Sequence, residues 1–71
     1  MACVNADGTV TPTAKALLRS LETPLGPEAI AAEIGAPLFR VRSSLRELQA
    51  AGFVAESGGL FRATEAGRAK I

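Results

Sequence analysis

The stretch GPEAIAAEIGAPLFRVRSSLRELQAAGFV, from Gly26 to Val54, decides the fold. Its first part opens on Gly26-Pro27, a cap followed by proline at the first helical position, where the missing N–H costs nothing. Glu28 then falls in the electropositive first turn. Ile30, Ala31 and Ile34 share one face, and Gly35 suits the left-handed residue that closes a helix. A helix of about two turns is not stable alone, so this one must pack on its neighbours. After a very short turn, Ala36-Pro37 starts another helix, in which Val41, Leu45 and Leu48 repeat at spacings of four and three until Gly52 stops it. At about 100° per residue the opposite side carries Phe39, Ser43, Arg46 and Ala50, flanked by Arg40 and Arg42. Three arginines therefore border one outward face.

Working outward, the residues before Gly26 hold a first helix. Thr11-Pro12 reads as N-cap and first helical residue, Ala14, Leu17, Leu18 and Leu21 form one apolar stripe, and Thr23-Pro24 ends the segment. The opening MACVNADGTV has no helical period, and its Asp7-Gly8 turn dipeptide predicts an arm or a frail hairpin. On the other side, FVAE and LFRAT flank Ser57-Gly58-Gly59, the pattern of a short β-hairpin. Alternation places Val54, Phe61 and Ala63 on one side of it and Leu60 and Arg62 on the other. Leu25 is available as a third short strand. Thr64 caps a last helical turn with Glu65 at its positive end.

With 71 residues the chain is one domain, expected as an N-terminal flexible arm over 1–10 and a folded unit over 11–71. A domain this small buries only about 60% of the surface of its unfolded chain, so its core must be economical. That core is expected to contain Leu17, Leu18, Leu21, Ile30, Ile34, Val41, Leu45, Leu48, Val54 and Phe61. Cys3 is the sole cysteine and histidine is absent, which argues against a disulfide framework and against a zinc site. Cys3 reads as an inert thiol. No apolar run approaches the roughly 20 residues that span a bilayer, so no membrane association is expected and a reducing cytoplasm is the default.

Charge is informative through its distribution. The formal net charge is only +1, but residues 1–35 hold two cations against four carboxylates and residues 36–71 hold six cations against three. A nucleic-acid surface is to be sought in the second half. Catalysis is not expected. No histidine can serve a serine as base, the carboxylates are scattered, and the Gly-rich tripeptide lies in a hairpin and does not open a helix. No cofactor is expected either.

Two helices joined by a tight turn, the second with an exposed basic face and followed by a hairpin, resemble the winged helix-turn-helix of bacterial transcriptional regulators, the MarR-like and related families. FRATEAGRAKI resembles their closing wing strand and helix start, and the resemblance covers roughly residues 12–71. It implies an α+β winged helix with three helices, a hairpin wing and a C-terminal helical turn, binding double-stranded DNA through the helix from Pro37. By resemblance, Phe39, Arg40, Arg42 and Ser43 near the start of that helix read base edges. Arg40 or Arg42 can make two hydrogen bonds to guanine, Arg46 is better placed for phosphate, and Arg62 on the wing for flanking backbone or minor groove.

The chain departs from the pattern at Leu38 and Phe39, where many relatives carry Ser, Thr or Gln, and at the hairpin tip, which lacks basic residues. Phe39 suits a thymine methyl or a protein contact. Leu38, Phe39 and Leu60 together define the competing expectation, a winged-helix module that binds a protein partner. With about four useful cations one copy binds DNA weakly at physiological salt, and a homodimer on adjacent half-sites is compatible with that limit.

Overall fold

A computed structural model of the chain describes residues 4–71, so Cys3 lies outside them. Among the described residues the chain is α+β, with helices α1 (Pro12–Ser20), α2 (Pro27–Ile34), α3 (Leu38–Ala50) and α4 (Glu65–Arg68). Strands β1 (Val54–Ser57) and β2 (Leu60–Ala63) form an antiparallel hairpin between α3 and α4.

Each boundary has a local cause. The Thr11 hydroxyl accepts the Ala14 N–H at 3.2 Å, with Pro12 at the first helical position. α1 stops two residues short of Thr23-Pro24. The Leu21 N–H turns to the Leu18 carbonyl at 3.1 Å, and the Ser20 hydroxyl bonds back to the Leu17 carbonyl at 2.6 Å. That tightened end turns Leu21 into the core. α2 closes on Gly35 in the left-handed conformation (φ 71°, ψ 34°), and the N–H groups of Gly35 and Ala36 both reach the Ala31 carbonyl. Only glycine enters this region without a steric cost, so it can turn the chain sharply into the next helix.

Pro37 is the N-cap of α3 and not its first helical residue; its carbonyl accepts the Arg40 and Val41 N–H groups, each at 3.1 Å. At the other end Phe53 donates to the Leu48 carbonyl at 2.9 Å and Gly52 to the Gln49 carbonyl at 3.0 Å. With Gly52 at φ 82°, this is a Schellman closure. The hairpin pairs Val54 with Ala63, Ala55 with Arg62, Glu56 with Phe61 and Ser57 with Leu60. Its two-residue turn, Gly58-Gly59, has positive φ at both positions, which matches the right-handed twist of the strands. Leu25 adds a one-residue antiparallel bridge to the outer edge of β2 through reciprocal bonds with Phe61 at 3.0 and 2.8 Å.

α4 is held by Thr64, whose hydroxyl accepts the Gly67 N–H at 3.1 Å and donates to the Gly52 carbonyl at 2.7 Å. Near the N-terminus, Val4 bridges to Val10 around a turn in which the Gly8 N–H meets the Asn5 carbonyl at 3.0 Å. The Thr9 hydroxyl and backbone N–H both donate to the Asp7 carboxylate, and they hold its pKa below the ordinary 3.8.

Eight of the ten expected core residues are buried: Leu17, Leu18, Leu21, Ile30, Val41, Leu45, Leu48 and Val54. Ile34 and Phe61 pack on this cluster but stay half-buried. Ile34 is the last residue of α2 and borders a crevice with α1, while Phe61 borders an open groove facing α3. Val10 joins the core at 6% exposure, which ties the end of the N-terminal segment to the helices. Among the described residues no helix is long and apolar enough to cross a membrane.

Candidate nucleic-acid interface

α3 sorts its side chains cleanly. Val41, Ser44, Leu45 and Leu48 are buried, whereas Phe39, Arg40, Arg42, Ser43, Arg46, Gln49 and Ala50 are exposed. The aliphatic stripe packs inward because α2 and β1 both contact this helix. Burial of the three branched aliphatic chains, Val41, Leu45 and Leu48, costs less than exposing them, and the guanidinium groups are left in water.

The exposed residues do not form one cluster. At about 100° per residue, Phe39, Ser43, Arg46 and Ala50 lie in a narrow arc opposite the core. Arg42 and Gln49 stand on one shoulder of that arc. Arg40, two residues from Arg42, stands about 160° around the helix on the other shoulder. Arg42 and Arg46 are one turn apart and line the same groove, of about 480 Å³, whose other walls are Pro27 of α2 and Glu56, Gly59 and Phe61 of the hairpin. Leu45 forms part of its lining and Gln49 shares the α3 wall.

Arg62 is exposed but elsewhere. Its cross-strand partner is Ala55, and strand alternation puts both on the hairpin face away from Val54, Glu56, Phe61 and Ala63. The structure therefore brings Arg42 and Arg46 together, sets Arg40 on the opposite shoulder, and separates Arg62 by the thickness of the hairpin. Phe39 is the most exposed large apolar side chain among the described residues, at 71%; Leu60 is exposed at 47%, and Leu38 is half-buried.

Two carboxylates border this region that the sequence did not assign to it: Glu28, read only as a first-turn residue, and Glu56. Glu28 lies in the first turn of α2 with its Oε2 3.9 Å from Nη2 of Arg42, the two side chains 73% and 59% exposed. Glu56 accepts the Gly59 N–H at 2.7 Å, which ties its charge to the hairpin tip. The signal for Glu56 was present in its alternation with Val54. The approach of Glu28 to Arg42 joins residues fourteen apart across the α2–α3 turn, and no spacing rule reads it.

The basic balance of the second half is also partly used up inside the fold. Arg68 donates to the Ala63 carbonyl at 3.0 Å, and the Lys70 ammonium sits 5.5 Å from the centroid of the Phe53 ring. Both cations stabilise the C-terminal segment. Among the described residues no three His, Cys, Asp or Glu side chains converge as a metal set. No family model, curated protein or solved structure matches the chain.

Proposed function

We propose that this chain is a winged helix-turn-helix module of a transcriptional regulator that binds double-stranded DNA without catalysing a reaction, with α3 as the recognition helix and the β1–β2 hairpin as the wing. The observation that carries the reading is the division of α3 into a buried aliphatic side and a free side bearing Phe39, Arg40, Arg42, Ser43 and Arg46. A helix of this width fits the major groove, whose walls are phosphate and whose floor carries the base-specific pattern. Arg40 and Arg42, on opposite shoulders, then face opposite phosphate walls, and Phe39, Ser43 and Arg46 face the floor. Arg40 and Arg42 thereby take positioning roles, in place of the guanine-reading role first expected for one of them, and Arg46 takes a base-edge role in place of the phosphate contact first expected for it. Arg62, behind the hairpin, contributes little to this surface. The setting of such a regulator is the cytoplasm.

The test is fluorescence anisotropy with a labelled mixed-sequence duplex at 50 and 200 mM salt, two concentrations over which phosphate contacts lose much of their affinity. Binding that weakens steeply with salt, with a slope lowered by about one unit in Arg40→Gln and again in Arg42→Gln, supports the reading. Salt-independent binding, or slopes unchanged in both variants, refutes it.

The exposure of Phe39 and Leu60 favours a second reading, an interaction module that holds a protein partner through these apolar side chains. In that case Phe39→Ala abolishes capture of the partner while duplex has no effect on it.

A further inference from the structure

The groove beside α3 is bordered by charges of both signs. Arg42 and Arg46 project from α3, while Glu56 is fixed at the hairpin tip by its bond to the Gly59 N–H. Glu28 of α2 stands beside Arg42 without lining the groove itself. The hairpin tip lies against the α2 N-terminus, since a Cβ placed on Gly26 would come within 3.8 Å of the Gly59 carbonyl oxygen and 3.9 Å of Oε1 of Glu28. The bonds between Leu25 and Phe61 hold that approach in place. Glu28 therefore has one oxygen near Gly26 and the other 3.9 Å from Nη2 of Arg42.

Resting on the DNA reading above, we propose that Glu28 is an affinity-tuning residue that competes with backbone phosphate for Arg42. A phosphate oxygen approaching Arg42 on its groove shoulder meets the Glu28 carboxylate first, and either displaces it or is repelled by it. The contact weakens binding to any duplex, because phosphates are the same in every sequence. It leaves base-edge contacts from Phe39, Ser43 and Arg46 untouched. Glu28 thus lowers the affinity for every duplex alike and leaves the preference among sequences unchanged. The same carboxylate favours the N-terminus of α2 through the helix dipole, so one charge serves the fold and moderates the grip on DNA.

The experiment measures binding of a fluorescent mixed-sequence duplex by anisotropy at 50 and 300 mM salt. Five proteins are compared: the unaltered chain, Glu28→Gln, Arg42→Gln, the double variant, and Glu33→Gln. The last removes the same formal charge from the far end of α2. Thermal melts establish that each is folded. Exposed ion pairs of this kind correspond to about a two- to fivefold change in an equilibrium constant. Glu28→Gln is expected to bind about two- to fivefold tighter at 50 mM salt, with the advantage shrinking at 300 mM.

The gain is expected to vanish in the Arg42→Gln background and to be much smaller in Glu33→Gln. An equal gain with Arg42 absent, an equal gain from Glu33→Gln, or no gain while the unaltered chain binds, overturns the role of Glu28 and leaves the DNA reading standing. Absence of binding by all five proteins overturns both.

Discussion

Gly67 shows how tightly a single residue can be specified in so small a fold. It is buried in α4, and a Cβ built on it would lie 2.0 Å from the Phe53 carbonyl oxygen and 2.9 Å from its carbon. The obstacle is backbone, and the same Phe53 carbonyl accepts the Thr64 N–H at 3.0 Å, so it cannot move without loosening the α4 cap. Gly67→Ala is expected to cost about 3 kcal/mol, at the upper end of overpacking effects, even though alanine is the better helix former. A denaturant melt of the variant checks this, and an unchanged midpoint contradicts the packing described. From the sequence Gly67 appeared only as a glycine after a closing strand; its need for zero side-chain volume comes from a residue fourteen positions earlier. Phe39 presents the opposite case, because its outward position followed from helical period alone and its 71% exposure agrees.

At the level of elements, legibility tracked how local the determining signal was. Thr11, Gly35 and Gly52 act within one turn of their own position, as does the cap that Thr64 offers to Gly67, and each cap or stop falls where the residue type directs it. The hairpin was legible for the same reason, although Ser57, expected in its tip, pairs with Leu60 at the end of β1 and only Gly58-Gly59 turn the chain. The end of α1 was not, because Pro24 marked only an outer limit and the decisive event is the inward turn of Leu21. Along α3 the periodic pattern separated inside from outside correctly but treated Arg40, Arg42 and Arg46 as one border. The same 100° step sets Arg40 about 160° from Arg42; what it does not read is the groove beside Arg42 and Arg46, whose other walls are Pro27 and the hairpin. The inner side of α3 is testable directly. Leu45 is 2% exposed, and Leu45→Ala is expected to cost about 2–5 kcal/mol. A domain of this length has a stability of only about 4–11 kcal/mol, so the Tm should fall steeply or the cooperative transition should disappear. An unaltered thermal melt means that the helix is oriented differently.

The described residues measure 29 × 22 × 17 Å along their principal axes. The longest of these is shorter than one turn of B-DNA, about 34–36 Å, the spacing that the proposed pairing on adjacent half-sites requires. A module with few free cations gains most from such pairing, because each further phosphate contact multiplies affinity. Sedimentation of the protein with a duplex of about 21 base pairs is expected to show two copies bound, and saturation at one copy removes the pairing hypothesis. Within one copy, DNA is to be met by one face. Mapping backbone chemical shifts of the labelled chain, as unlabelled mixed-sequence duplex is added at two salt concentrations, locates that face. Contact through the outer side of α3 predicts shifts at Phe39, Arg40, Arg42, Ser43 and Arg46 that fade as salt rises, with α1 and Arg62 little affected. Shifts confined to α1 or to the outer hairpin face, or none on α3 at either concentration, would contradict it.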